Sequence, residues 1–354
     1  MTALADLLIR QINATGPLTV AHYMTECLLH PEHGYYRTRD PLGPQGDFTT
    51  APEISQMFGE MLGLCLAQTW MGQGAPTSFS LAELGPGRGT LMADILRATR
   101  GVPGFHAAAQ VVMVEASAPL KALQRDTLND HPATWVTNVA DIPNAPLFLV
   151  ANEFFDALPI RQFQRDPNGW RERMIGVSDG ALSIGLSAAT PVAMLDHRLS
   201  DIEPGQIVET CAPAQAIISD IATRITEQGG VAIVIDYGDS PSRGDTLQAL
   251  KDHAFDPPLA HPGDADLTAH VDFGALTAAA AGASVSPILD QGVLLERLGI
   301  TQRAQTLAQN LTGPALDQHI SAHRRLTHPQ EMGTLFKTIA LTPPGAPWPP
   351  GFDP

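Results

Sequence analysis

Residues 79–97 constrain this chain more than any other stretch. An apolar run, Phe79-Ser80-Leu81-Ala82, leads into Glu83-Leu84-Gly85-Pro86-Gly87-Arg88-Gly89. Leu91, Met92, Ile95 and Leu96 then follow at helical spacing. Strand, glycine turn and helix in that order open a nucleotide-binding α/β domain. Glycine is needed where the backbone turns sharply and approaches a ligand, because a Cβ would obstruct both. The spacing also excludes two phosphate sites. A dinucleotide fingerprint G-x-G-x-x-G counted from Gly85 needs glycine at position 90, where Thr90 stands, and no G-K-[ST] follows as a P-loop requires.

The downstream pattern extends the same fold. Val111-Val112-Met113-Val114-Glu115 is a continuous apolar run ending in acid, the pattern of a parallel strand buried on both faces. Ligands bind at the carboxyl ends of such strands, so Glu115 is placed to accept hydrogen bonds from both hydroxyls of a ribose. A helix over 118–128 and a strand near Trp135-Val136 follow. Asp141, just beyond, either contacts an adenine amino group or closes a turn. The fourth strand, Pro146 to Val150, runs into Ala151-Asn152-Glu153-Phe154-Phe155-Asp156-Ala157-Leu158-Pro159. Two acids, an amide and two aromatics there suit the binding of a second reactant, although Asp156 also suits a helix N-cap. Gly230 to Gly238 reads as the fifth parallel strand, 245–250 as the start of a sixth, and Leu335 to Leu341 as a last, antiparallel one.

Around this core lie additions. Residues 2–13 and 19–29 read as helices and 31–50 as a long loop, a feature that is often functional. Thr50 and Glu53 form a T-x-x-E capping box that predicts one helix from there to about Trp70. On it Gly59, Gly63 and Ala67 recur every fourth residue, which implies close contact with a neighbouring backbone. Residues 160–186 read as an inserted β-meander joined by Asp-Pro-Asn-Gly and Ser-Asp-Gly turns. A short strand at 205–209 and a helix over 213–227 come next. A second insertion carries helices near 273–281 and 291–298. The expected organisation is a helical N-terminal cap over 1–75 and a core over 76–342 with insertions at about 160–210 and 251–330. A proline-rich tail, 343–354, would be ordered only by docking.

Composition narrows the function classes. The 354 residues are 44% hydrophobic and 16% charged, enough to bury a sizeable core. Lys plus Arg is 21 against 37 Asp plus Glu, a formal charge of −16, which argues against general affinity for nucleic acid or anionic membranes. Three widely spaced cysteines, Cys27, Cys65 and Cys211, suggest a reducing compartment without disulfides. Residues 1–20 lack the features of a signal or transit peptide, and no apolar run reaches the ~18 residues of a membrane span, so a cytoplasmic protein without membrane insertion is expected. No metal site is expected, because His30-x-x-His33 has no cysteine or second histidine pair at ligand spacing. No G-x-S-x-G elbow supports Ser-His-Asp hydrolysis.

The stretch Glu83 to Gly89 reads E-x-G-x-G-x-G and resembles motif I of the class I S-adenosyl-L-methionine methyltransferases. More specific strings extend the likeness across nearly the whole chain: Gly46-Asp47-Phe48-Thr49-Thr50-Ala51-Pro52-Glu53, Val114-Glu115, Ala151 to Pro159, Asp236-Tyr237-Gly238, Pro262 to Phe273 and Met332 to Lys337. Together they resemble the MidA-type methyltransferases, a family that includes a mitochondrial assembly factor of respiratory complex I. The resemblance implies an α/β class I methyltransferase fold, Rossmann-like, with a seven-stranded mostly parallel sheet, a helical cap and inserted segments. It implies S-adenosyl-L-methionine as cofactor, bound by Glu83, Gly85, Gly87, Gly89, Glu115 and Asp141. It further implies methylation of protein arginine, with the quinone-site subunit of complex I as acceptor. The paired glutamates on one loop of the better-known arginine methyltransferases are not reproduced literally, and Asn152, Glu153 and Asp156 are their nearest counterpart. Glu153 and Asp156 would pair with the guanidinium, and Asp47, Asp264 or His270 would close over the site. A small-molecule methyltransferase and a cofactor-binding assembly chaperone are the alternatives, and the apolar cap helices allow a homodimer.

Overall fold

In the computed structural model the described residues are 2–38, 49–129 and 131–353. They form two compact units, each drawn from three stretches of chain.

The unit built from Thr49–Phe155, Gln215–Gly238 and Ala275–Pro354 holds the main sheet. Its strand path runs Ser284–Val285, Phe336–Thr342, Gly230–Asp239, Leu147–Asn152, Phe79–Leu84, Ala109–Val114 and Ala133–Val136, in a sheet of nine strands. The five strands from Gly230–Asp239 to Ala133–Val136 are mutually parallel, while Phe336–Thr342 is antiparallel to Gly230–Asp239. Phe79–Leu84 and Leu147–Asn152 are buried at every residue, which is why they read as mainly apolar, with Ser80, Glu83 and Asn152 the polar exceptions. Strand order reverses between these two. The chain moves outward from Phe79–Leu84 in one direction and then returns to begin on its other side with Leu147–Asn152, leaving a switch point at their carboxyl ends.

The predicted small-residue stripe meets a backbone. A Cβ on Gly63 would lie 2.9 Å from the Ile95 Cα, and one on Gly59 would lie 2.5 Å from the Asp94 Cβ, so helix Gln56–Gly72 rests directly on helix Thr90–Thr99. Beneath them Trp70, Phe79, Phe105 and Phe148 form an aromatic cluster with centroids 5.0–6.0 Å apart. Two helices beyond those read in the sequence, Ile300–Ala308 and Pro314–Thr327, add Ile300, Ala304 and Leu326 to the same core. The proline-rich tail is docked there too: Phe352 is buried, and Arg297 donates to the carbonyls of Gly351 (3.1 Å) and Asp353 (2.7 Å).

The other unit comprises the described residues of Met1–Phe48 with Asp156–Ala214 and Asp239–Gly274. Helices Ala3–Thr15 and Val20–Leu29 supply Leu4, Leu8, Tyr23, Met24 and Cys27 to its core. The meander is present as Arg161–Asp166, Gly169–Ser178 and Ala181–Leu186, and Leu18–Thr19 and Ile207–Thr210 complete an antiparallel sheet with it.

Three sequence expectations change. The sixth strand expected from 245–250 does not join the main sheet. Gln248–Lys251 pairs antiparallel with Ala254–Asp256 and Asp266–Thr268 in a separate sheet. Asp252 (φ +53°) and His253 (φ +62°) are both left-handed, so the chain reverses in a two-residue turn and has no length for a parallel crossover. The helix expected from Thr50 to Trp70 is two helices. Ala51–Ile54 ends at extended Ser55, whose hydroxyl oxygen accepts from the Met57 N–H (3.2 Å) and starts Gln56–Gly72. Thr50 makes no side-chain cap, so the capping box is not formed. Within the stretch read as loop, Tyr35–Thr38 is a helical turn.

Gly63→Ala is expected to lower stability by about 1–3 kcal/mol, the usual cost of overpacking, because the Ile95 backbone cannot move aside. Urea unfolding of the full chain checks this, and an unchanged midpoint contradicts the close approach.

Candidate functional site

The glycine loop sits at the switch point. Gly85 (φ +56°), Gly87 (φ +53°) and Gly89 (φ +85°) are all left-handed, a conformation that costs other residues energy and glycine nothing. Gly85 donates to the Val114 carbonyl (3.0 Å), which ties the loop to the neighbouring strand end, and Gly89 caps helix Thr90–Thr99. The Phe154 ring fills the space where a Gly85 Cβ would stand, 2.8 Å from its Cδ2. Loop and post-strand segment therefore touch directly.

Two buried carboxylates flank the loop. Glu83 is the penultimate residue of the first parallel strand and accepts from the Met92 N–H in the first turn of the following helix. Burial, with the Glu115 charge adding to it, holds its carboxyl well above the ordinary range despite that hydrogen bond. Its Oε2 is buried with no hydrogen-bond partner among the described residues. Glu115 accepts from the Ser117 N–H on Oε1 (2.7 Å) and from Gln124 Nε2 on Oε2 (3.2 Å), and burial raises its carboxyl as well.

Gln124 carried no signal in the sequence, yet it organises this half of the site. Its Nε2 also donates to the Gly87 carbonyl (2.9 Å), and its Oε1 accepts from Trp135 Nε1 (2.8 Å). One fully buried amide thus links the glycine loop, Glu115 and the next strand. Asp141 ends a single turn, Val139–Asp141, where it is exposed and accepts from Asn138 Nδ2 (3.2 Å).

On the other side of the switch point, Asn152 is the last residue of its strand and is buried. Its Nδ2 donates to Glu153 Oε1 (2.9 Å), while its Oδ1 is buried with no partner among the described residues. Glu153 has φ +50°, a strained conformation for a residue with a Cβ and one that clusters at functional sites. Its Oε1 also accepts from the Ala51 N–H (2.9 Å). Asp236 fixes the segment beyond: Oδ2 accepts from the N–H groups of Phe154 (3.2 Å) and Phe155 (2.9 Å), and Oδ1 from that of Tyr237 (2.9 Å). Asp236 stands at a parallel strand's carboxyl end, as Glu115 does, and that pattern could have singled it out.

The structure thus brings Glu83, the three glycines and Glu115 together, with Asn152 and Glu153 at the end of the adjoining strand. Asp156, Asp264 and His270 lie in the other unit. The Asp156 carbonyl accepts from Ala269 (2.9 Å), and its carboxylate lies near Tyr36, whose hydroxyl is raised by burial and then by Asp266 and Asp156. The Asp264 N–H donates to the His261 carbonyl (2.9 Å). The His270 N–H donates to Thr246 Oγ1 (2.9 Å), and burial lowers its imidazole despite Asp239. Asp47 lies outside the described residues. No group of three or more histidine, cysteine or acidic side chains among the described residues could hold a metal ion.

Buried carboxylate oxygen without a partner, paired acids and a glycine cradle fit a ligand that carries a ribose and a cationic end. A family model described as "Putative S-adenosyl-L-methionine-dependent methyltransferase" matches residues 61–288. The human "Protein arginine methyltransferase NDUFAF7, mitochondrial" is 38% identical over 375 residues, covering 97% of this chain and 84% of that protein. The Drosophila melanogaster homologue of the same name is 36% identical, with 96% and 85% covered. A crystal structure of a Burkholderia thailandensis protein bound to S-adenosyl-homocysteine superposes with a TM-score of 0.82 at 28% identity, covering 99% of this chain and 93% of that one.

Gln124→Leu keeps the side-chain volume and removes every one of these polar contacts. It is expected to destabilise the fold by roughly 2–3 kcal/mol, the cost of leaving buried partners unsatisfied. S-adenosyl-homocysteine should also raise the Tm less than in the parent chain. Thermal and chemical unfolding with and without that ligand check both effects.

Proposed function

The chain belongs to the S-adenosyl-L-methionine-dependent methyltransferase family, and from that premise we propose that it methylates arginine side chains of a protein. The observation that carries the reading is the identity of 38% with a relative named as a protein arginine methyltransferase, spread over 97% of this chain. The acceptor proposed for the first test is the quinone-site subunit of respiratory complex I. The cytoplasmic placement read from the sequence belongs to the same proposal, the relatives named above being mitochondrial. No helix among the described residues is long and apolar enough to cross a membrane.

When bound, S-adenosyl-L-methionine supplies an activated methyl on a sulfonium that is already a good leaving centre. The chain's work is then to bind, orient and balance charge, and positioning of this kind can supply ~7–11 kcal/mol. Glu115 accepts the ribose hydroxyls, and Gln124 and Ser117 keep its carboxylate aimed. Glu83 offers its unpartnered Oε2 to a cationic group, and the three glycines let the backbone pass close to the ligand. Asp141 is assigned to the adenine edge.

An arginine side chain stays protonated in proteins, so its attacking nitrogen becomes nucleophilic only if the charge is held elsewhere on the guanidinium. Asn152 Oδ1, buried and without a partner among the described residues, accepts a guanidinium N–H. The Glu153 carboxylate balances the cation through a charge-assisted contact.

Glu153→Gln retains the Oε1 acceptor used by Ala51 and Asn152 and removes the charge. Methyl transfer is expected to fall roughly 100-fold or more, the scale of one lost charge-assisted bond, while cofactor affinity stays within about threefold. Mass spectrometry for methylarginine on the acceptor, with calorimetric binding in parallel, gives both values. Full activity in this variant removes the assignment.

The raised carboxyl of Glu115 sets a pH dependence. Protonated Glu115 cannot accept from both ribose hydroxyls, so affinity falls as pH drops, beginning above the ordinary carboxylate range. Binding favours the ionised form and therefore releases a proton in that window. Calorimetry in buffers of different ionisation enthalpy detects the release, and Glu115→Gln is expected to abolish both the release and the slope.

A further inference from the structure

The four residues Thr50-Ala51-Pro52-Glu53 touch both halves of the site. The Ala51 N–H donates to Glu153 Oε1 (2.9 Å), and Asn152 Nδ2 donates to the same oxygen (2.9 Å). The Thr90 hydroxyl donates to Glu53 Oε1, and Thr90 is the first residue of the helix that Gly89 caps. Only Pro52 separates the two contact points along the chain, and they sit in a single turn held by the N–H groups of Glu53 and Ile54 on the Thr50 carbonyl (3.0 and 3.2 Å). Pro52 stiffens the turn further, since its ring fixes φ. Ala51 and Pro52 are buried, so the turn cannot swing away as a unit. Its far end runs at once into Ser55 and helix Gln56–Gly72, which lies against helix Thr90–Thr99 with no room for a Cβ at Gly59 or Gly63. The turn therefore has a fixed base on the very helix that Thr90 begins.

We propose that Glu53 is a positioning residue that couples the glycine loop to Glu153. Through Thr90 it registers the turn on the start of the loop helix. Through Ala51 the turn then sets the Glu153 carboxylate, whose backbone is held in a strained conformation at φ +50°. The methyl donor side and the acceptor side of the site are thereby kept at one separation by a strut outside the sheet. Neither Glu53 nor Thr90 contacts a reacting atom in this scheme. The inference deepens the function proposed above, because it gives the Glu153 carboxylate its place, but the coupling itself is testable without any acceptor.

The test is hydrogen–deuterium exchange on the full chain without ligand. Glu53→Ala and Thr90→Ala are each expected to speed exchange about tenfold or more in residues 49–55 and, with them, in 150–156, leaving strand 109–114 unchanged. Glu53→Gln and Thr90→Ser keep an acceptor and a hydroxyl, respectively, and should restore protection. The double variant should be no worse than either single one, since both remove the same contact. Faster exchange confined to 49–55 overturns the coupling, as does full protection of both segments in Glu53→Ala. A second arm uses S-adenosyl-L-methionine and an arginine-containing peptide taken from the quinone-site subunit of complex I. Here kcat should fall about tenfold in Glu53→Ala with cofactor Kd and peptide KM within about threefold, and Glu53→Gln should recover it. An inactive Glu153→Gln beside a fully active Glu53→Ala would overturn the coupling and leave the proposed function standing. Linked exchange in a parent chain that transfers no methyl to the peptide would leave the coupling standing and overturn the proposed function, whereas an active Glu153→Gln would remove only the role given to Glu153.

Discussion

The site depends on what happens to backbone N–H groups where a parallel strand stops. Within the sheet every amide has a neighbour, but beyond Asn152 the ladder ends and each buried donor needs a new acceptor. Asp236 meets that need with one carboxylate that takes the N–H groups of Phe154, Phe155 and Tyr237. The segment is then stiff enough to hold Glu153 at a left-handed φ and to press Phe154 against Gly85. Charge-assisted acceptance from three donors offsets the cost of burying the acid, which neither a neutral side chain nor water in a closed core would do as well.

The same logic explains why the chain tolerates Glu83 and Glu115 in a desolvated pocket. Each is partly compensated, by Met92 in one case and by Ser117 and Gln124 in the other, and burial still leaves both carboxyls above their ordinary range. A core selected for stability alone would not keep two acids near one another. Their cost is carried by the fold and recovered when a ligand supplies the missing donors, so pocket stability and ligand affinity trade against each other here.

Much of this was legible beforehand because it rests on local rules. Apolar runs ending in Glu83, Glu115 and Asn152 identify buried parallel strands and their functional ends. Three glycines at alternate positions identify the tight loop, and a Gly59–Gly63–Ala67 repeat identifies a close helix pair. What escaped depends on partners distant in sequence. Gln124 looks like any surface helix residue until Trp135 and the Gly87 carbonyl are brought to it. Thr50 and Glu53 satisfy the letter of a capping box, yet Glu53 is taken by Thr90 and the helix breaks at Ser55. Asp252-His253 lacks the glycine that usually advertises a two-residue reversal, so the strand before it was assigned to the wrong sheet.

The antiparallel strand Phe336–Thr342 has a consequence for biosynthesis. It covers one flank of Gly230–Asp239 along six successive residues, Ala232 to Tyr237, and it is made about a hundred residues after that strand. Until the ribosome has released it, Val231 to Ile235 present an apolar strand with an open edge, the pattern through which chains pair with one another instead of with themselves. Every nascent copy passes through this state, and a message or protease cut that removes Phe336–Thr342 would make it permanent. Integrity of Phe336–Thr342 is therefore a condition for the protein's remaining dispersed in the cell.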